Sequence, residues 1–318
     1  MKSLLTFLNQ PNLEKNTQSM IKSKLAKVGI LSTAILAMPT ISHSGTASKE
    51  VKAIPEITKE SCITGDIGVG VVSQYILRGV VNESKGFIAQ PYLDLYFKLY
   101  SGTGFINKVS LNLGLWSSIN SNQTVASPGT SLAAWYEFDW MPGMTVTFAK
   151  NFALSVTWLD YDFVSSGGRA GSLNTNLAYD DTDLLGAFAL HPHLSAMKTM
   201  IGNGVGVPGG ALGWYYEVGI APGFTVGKGG TYPLTFTFPM TVGLGPETYN
   251  GEDYGYFSAG VTAAVPLAFV PSCYGAWTAT AGFTYWNLGD NAAHASSPAI
   301  NDGGTSQYVF SGSIGLTF

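Results

Sequence analysis

The sequence predicts an all-β chain, a single transmembrane antiparallel β-barrel of about 12 strands over residues 63–318, closed between its first and last strands. Three observations carry this. The apolar fraction is 46% while charged residues make up only 11%, against roughly a quarter in a soluble domain, so the surface is too poor in charge to face water. The 39 Gly and 13% aromatics suit strands with many turns, and beyond the N-terminal region no apolar run approaches the roughly 18 residues that a membrane helix needs. Segments of about ten residues that alternate with period two, punctuated by Gly, Pro, Asn, Ser and Asp, are the pattern of a membrane barrel.

The N-terminal region has the order of an export signal. Lys22, Lys24 and Lys27 precede the apolar stretch 28–38, and Ser42, Ser44 and Ala47 follow. Residues 1–47 are therefore expected to be a signal peptide, with Met20 as an alternative start, and residues 48–62 a periplasmic leader. Removing 1–47 takes five Lys and Glu14 from the 16 basic and 20 acidic residues, leaving 11 and 19. The mature chain is acidic and has no basic patch, so nucleic acid is not an expected partner.

The strands follow in order. Residues 66–78 set Ile67, Val69, Val71, Tyr75 and Leu77 against Asp66, Gly68, Gly70, Gln74 and Arg78. Residues 87–100 set Leu93, Leu95, Phe97 and Leu99 against Gln90, Tyr92, Asp94 and Lys98. Strands 107–118, 131–146, 151–164, 182–190 and 194–201 come next. In 151–164 the run Phe152, Leu154, Val156, Trp158 changes register to Leu159, Tyr161, Phe163, which predicts a bulge near Trp158. Residues 211–221 and 232–243 alternate most cleanly, the latter through Leu234, Phe236, Phe238, Met240 and Val242. Strands 254–267, 274–287 and 306–318 complete the set.

The last strand offers Tyr308, Phe310, Ile314, Leu316 and Phe318 on one register. An unpaired apolar edge of this kind has to be covered, and in a membrane closure is compulsory. Twelve strands enclose a lumen that the Gly, Ser, Thr and Asn of the polar register are too small to fill, so the apolar register is assigned to lipid. A periplasmic N-terminus makes 79–86, 119–130, 165–181, 202–210, 244–253 and 288–305 the outer loops. The inner turns are then 101–106, 147–150, 191–193, 222–231 and 268–273. Aromatics near strand ends (Tyr96, Phe97, Tyr100; Trp135, Tyr136, Trp140; Tyr254, Tyr256; Tyr285, Trp286) are expected to form interfacial girdles. Cys62 and Cys273 fall on one rim about two strand spacings apart, roughly 10 Å, which leaves a disulfide open.

Residues 64–79, with Ser73-Gln74-Tyr75-Ile76-Leu77-Arg78-Gly79 at their core, resemble the opening strand of the TorF-like porin family, and the closing Phe fits it. The resemblance would cover residues 63–318. It implies an outer-membrane channel of undefined substrate in a Gram-negative-type bacterium, with Phe318 as the insertion signal read by the outer-membrane insertion machinery.

With the apolar register toward lipid, the lumen-lining candidates are Asp66, Arg78, Asp94, Lys98, Glu137, Asp139, Asp160, Asp162 and Glu217. Their acidic excess raises local cation concentration, so the expected function is a porin for passive diffusion of small hydrophilic solutes with weak cation preference. The alternatives are a lumen plugged by hydrogen-bonded side chains and a non-conducting structural or adhesive barrel. Its surroundings would be outer-membrane lipid and lipopolysaccharide. An enzyme is not expected: a phospholipase-type barrel needs a nucleophilic Ser beside an activating His, and His294-Ala295-Ser296 lies in a Gly- and Ala-rich loop. His191-Pro192-His193 reads as a polar turn rather than a metal site, and no cofactor is expected. Gly202-Asn203-Gly204 and Gly227-Lys228-Gly229-Gly230 lack the strand-to-helix setting of a phosphate loop.

Overall fold

The computed structural model describes residues 61–122, 134–202, 212–245 and 251–318. The expected signal peptide, the leader as far as residue 60 and the loop stretches 123–133, 203–211 and 246–250 lie outside the described residues.

Every wall strand is antiparallel to its neighbours. The chain enters at β1 (Ile63–Val72), passes through a small hairpin, β2 (Tyr75–Leu77) and β3 (Val80–Glu83), and continues through β4 (Ile88–Ser101), β5 (Ile106–Asn120), β6 (Trp135–Phe148), β7 (Phe152–Phe163), β8 (Gly168–Tyr179) and β9 (His193–Ile201). Then come β10 (Trp214–Ile220), β11 (Gly223–Val226), β12 (Leu234–Thr237), β13 (Met240–Leu244), β14 (Tyr254–Pro266), β15 (Ala276–Leu288) and β16 (Ser306–Thr317). Pro222 interrupts one stave between β10 and β11, and Pro239 another between β12 and β13. A ring nitrogen cannot donate to the ladder, so the 14 hydrogen-bonded wall segments make a barrel of 12 staves.

Closure runs from Asp66 opposite Thr317 to Val72 opposite Ser311. It is extended by reciprocal backbone bonds between Gly65 and Phe318, at 2.9 and 3.0 Å. The barrel has no open edge at that seam.

The apolar register faces outward. Ile67, Val69 and Val71 on β1, and Tyr308, Phe310 and Ile314 on β16, are exposed, Phe310 by 62%. Their alternate neighbours Asp66, Val72 and Val309 are buried. Exposed apolar side chains repeated around a closed wall have no counterpart in a water-soluble protein and form the lipid-facing band of a membrane barrel.

Three expectations are corrected. Residues 182–190 are not a strand: Thr182–Leu185 is a helical turn followed by a 3-10 turn at Gly186–Phe188. The missing stave is β8, inside what reads as an outer loop; its lumen register is Ala170, Ser172, Asn174, Asn176 and Ala178, and between Arg169 and Tyr179 its outward bulk is Leu173 and Leu177. The long connection 180–192 consequently lies on the same rim as the short turns 102–105 and 149–151. Second, β7 carries no bulge at Trp158, since its pairing with β8 runs unbroken from Phe152 opposite Tyr179 to Phe163 opposite Gly168. Leu159 and Tyr161 are apolar and still face inward. Third, β1 stops at Val72, and residues 75–78 belong to the hairpin instead.

Candidate functional site in the lumen

The reason Leu159 and Tyr161 face inward is that the lumen is occupied. After Val72 the chain turns in, anchored by the Ser73 amide on the Phe310 carbonyl and the Phe310 amide on Ser73 Oγ, both 2.9 Å. The β2–β3 hairpin then folds inside the wall as a sheet of its own. Its two-residue turn, Arg78-Gly79, has φ of +50° and +80°, the paired positive values that a tight hairpin of the I′ kind requires. Gly79 is needed twice, because a Cβ there would also press on the Gly255 carbonyl and the Tyr256 ring at 3.2 Å.

Tyr75, Ile76, Leu77, Arg78, Val81 and Glu83 are all buried. The hairpin's apolar side chains share a core with inward-facing Trp116, Met141, Leu159, Met197, Tyr215, Tyr256, Trp286 and Leu288. The connection 289–305 roofs this core with Ala292, Ala293 and Ile300. Roof and hairpin are tied by Ser84 Oγ to the Ile300 carbonyl at 2.7 Å, Lys85 Nζ to the Ala299 carbonyl at 2.9 Å, and Ser296 Oγ to the Val81 carbonyl. The end of the barrel carrying these two connections is called the upper end below.

A polar cluster is set within that core. Tyr75 donates its hydroxyl to Glu137 Oε2 at 2.8 Å. The Arg78 guanidinium donates to the Tyr161 hydroxyl and lies 5.4 and 5.7 Å from the ring centres of Tyr161 and Tyr215. Tyr215 and Tyr256 both donate to Glu217 Oε1. Glu137, Asp139 and Glu217 are the carboxylates whose charge acts on Arg78. Ser118 and Ile119 of β5 stand opposite Glu137 and Trp135, so Tyr136 is the extra residue of a bulge in β6, and it joins the cluster by donating to Asn82 Oδ1 at 3.4 Å.

Below the hairpin the lumen is lined differently. On one side Asn112 Nδ2 donates to Thr145 Oγ1 at 2.6 Å, Thr145 and Ser155 share a bond of 2.9 Å, and Ser195 donates to Asn176 Oδ1 at 2.8 Å. On the other, Asp66 lies directly across the ladder from Asp94 and accepts from Thr317 Oγ1 at 2.5 Å, with Lys98 further along the Asp94 register. The Tyr92 ring lies flat over β1 and β16, because a Cβ at Gly68 or Gly315 would come within 2.6 or 2.7 Å of its hydroxyl. The small residues of the polar register thus make room for large neighbours and for the hairpin.

The predicted lumen residues separate into three groups. Asp66, Asp94, Lys98, Glu137, Asp139 and Glu217 are on the inward register of the wall, and Arg78 is inside it on the hairpin. Asp160 and Asp162 are not in the lumen: without the bulge they keep the outward register of Leu154 and Val156. Asp160 there takes a two-pronged pair from Arg169, 2.8 Å on each arm, with a third bond from Trp158 Nε1 at 3.1 Å. The girdle expectation is also corrected in part, since Tyr136, Tyr256 and Trp286 pack inward, whereas Trp135, Trp140 and Tyr100 are exposed. Cys62 and Cys273 are both free and exposed; β16 stands between the strands they adjoin.

Outside the lumen, Asp180, Asp181 and His191 bring one donor atom each within 4.8 Å of one another. Asp181 is already engaged by the amides of Leu190 and His191 at 2.9 to 3.0 Å, which makes the group an anchor for the connection 180–192. His294 Nδ1 lies 2.9 Å from the Asp290 carbonyl, and the Ser296 hydroxyl is directed to Val81.

Fold and lipid-facing skin together define the class, a transmembrane β-barrel of the outer-membrane type. No protein-family model matches the chain, and no curated protein sequence does. Among solved structures, the chain is similar to the COG4313 outer membrane channel from Pseudomonas putida F1, at 12% identity and a TM-score of 0.46, over 84% of this chain and 100% of that one. It is also similar to the NanC porin, at 9% identity and 0.42, over 80% and 100%. A third similar structure is the outer membrane phospholipase A from Escherichia coli, at 11% identity and 0.36, over 80% and 89%. This last finding corrects the expectation that excluded an enzyme: the similar structures include an enzyme, which is not evidence of enzymatic activity in this chain.

Proposed function

We propose that the chain is an outer-membrane channel for passive diffusion of small hydrophilic solutes, narrowed at its upper end by the β2–β3 hairpin. The observation that carries this reading is the polar lining below the hairpin, from Asn112, Thr145, Ser155, Asn176 and Ser195 around to Asp66, Asp94 and Lys98. A barrel that served only as a scaffold has no need of polar side chains on that inward face, where burial is costly unless each is hydrogen-bonded. The excess of carboxylates over Arg78 and Lys98 supports weak cation preference. Kinship with the TorF-like porins belongs to the same proposal, and its support is the segment 73–79, which forms the entry to the hairpin and its turn.

A second reading, a non-conducting surface barrel, is favoured by the closely packed core around Ile76, Leu77 and Val81. Planar-bilayer recording of the native chain and of a variant with residues 74–85 replaced by a short Gly-Ser link separates the two. The channel reading expects conductance in the variant with higher permeability to potassium than to chloride. Silence from a correctly folded variant would refute it.

A further inference from the structure

We propose that the β2–β3 hairpin is a displaceable gate, closed in this conformation, and that its withdrawal both opens the lumen and uncovers wall carboxylates that favour cations. The proposal rests on the channel reading above.

The hairpin is built to move as a unit. Its two strands pair with each other and, among the described residues, make no ladder with the wall, so displacement leaves all 12 staves intact. It joins the wall through Ser73-Gln74 on one side and Lys85-Gly86 on the other, where Gly86 has φ +75°. These short flanks are the hinge positions, being element-terminal residues that can absorb a change of backbone angle.

What holds the hairpin in place is divided by chemistry. Ile76, Leu77 and Val81 are buried among the rings and aliphatic chains of the wall, which makes the closed state the resting one. The contacts at the tip and along one edge are polar side-chain bonds, Tyr75 to Glu137, Arg78 to Tyr161 and Asn82 to Tyr136, and water can replace each of them. A charged cluster buried inside a permanent plug is a poor stabiliser, because desolvation offsets most of the attraction. The charges have a use if the tip leaves: Arg78 is a cation whose charge acts on Glu137, Asp139 and Glu217, and its departure leaves the three acidic side chains facing the lumen without it. The roof moves with the gate, since Ser84, Lys85 and Val81 are bonded to the 289–305 connection.

The test is single-channel recording on full-length protein in a Cys62→Ser, Cys273→Ser background. Asn82→Cys and Tyr136→Cys are added and joined by a short bis-thiosulfonate linker, which a reductant releases. The unlinked channel is expected to step between a low and a high conductance, with stronger cation preference in the high state. Linking is expected to abolish the high state, and reductant to restore it. Replacing residues 74–85 is expected to leave the high state alone. If the linked protein steps as before, or if the unlinked protein never leaves the low state while the 74–85 replacement conducts, the gate is refuted and the channel reading stands. If the replacement variant folds and is silent, the channel reading itself has failed.

Discussion

The hydroxyl of Tyr75 on the hairpin reaches Oε2 of Glu137 on wall strand β6 at 2.8 Å, across 62 residues of sequence and inside the barrel. Both side chains are fully buried. The Tyr75 ring also lies 5.3 Å from Trp116 and 6.1 Å from Tyr136, so the residue both packs and latches. Tyr75→Phe keeps the packing and removes only the donor. Leaving a buried carboxylate oxygen short of a partner costs about 1–3 kcal/mol, and the hairpin should loosen by that amount without loss of the barrel. Hydrogen exchange of the Leu77 and Val81 amides is expected to rise in Tyr75→Phe while that of the wall strands stays unchanged. Equal rises in both would place the bond in the barrel's general stability instead.

The tyrosines of the upper lumen depend on glycines beneath them. A Cβ at Gly243 would collide with the Tyr256 ring and come within 2.8 Å of the Tyr215 hydroxyl, displacing the pair that holds Glu217. Overpacking of this kind costs about 1–3 kcal/mol, so Gly243→Val should lower the urea midpoint of unfolding in detergent micelles. Gly104→Ala, where an added Cβ meets open space, is the matched control and should leave the midpoint in place. A Gly243→Val protein as stable as the control would mean that the tyrosines shift freely.

How far the sequence discloses the fold depends on what side-chain alternation can report. The lipid-facing register of β1, β10, β12 to β13 and β16 is legible because bulky apolar residues recur at every second position there. β8 is not legible, since its inward residues are small and its outward face carries Gly171 before Leu173 and Thr175 between Leu173 and Leu177. Alternation says nothing of what fills a lumen. The change of register at Trp158 in β7 looks like a bulge when all apolar residues are assumed to face lipid, and the true cause is a non-local partner, the hairpin, against which Leu159 and Tyr161 pack. The same assumption carried Asp160 and Asp162 to the wrong face. Arg78-Gly79 was the available signal: Arg-Gly at the junction of the expected first strand and its loop, with Gly free to take positive φ, marks a tight turn that begins a hairpin.

The connection 180–192 should loosen in acid. Burial alone would push the Asp181 carboxyl up, but the backbone amides of Leu190 and His191, together with the charge of His191, more than reverse this and hold it below the usual carboxylate range. A group lowered on folding contributes stability that is present above its unfolded value and disappears as pH falls through the folded one. Limited proteolysis at the 180–192 connection is therefore expected to be slow at neutral pH and to accelerate below the ordinary carboxylate range. Asp181→Asn should cleave faster at neutral pH and lose most of this dependence. A wild-type rate that is flat across the range would remove Asp181 as the anchor.

The direction of the apolar register has a direct energetic test. Val69 is at the middle of β1, opposite Pro91 on β4 and Ile314 on β16, and is 44% exposed on the outer face. If that face meets hydrocarbon, Val69→Arg near the midplane should cost about 2–4 kcal/mol of folding free energy in a bilayer. Val69→Leu keeps the apolar contact with lipid and should be neutral. Urea-dependent folding into phosphatidylcholine liposomes, followed by tryptophan fluorescence, measures both. The same arginine placed on a water-facing wall would cost little, so a Val69→Arg protein as stable as Val69→Leu would require the band to be turned away from lipid.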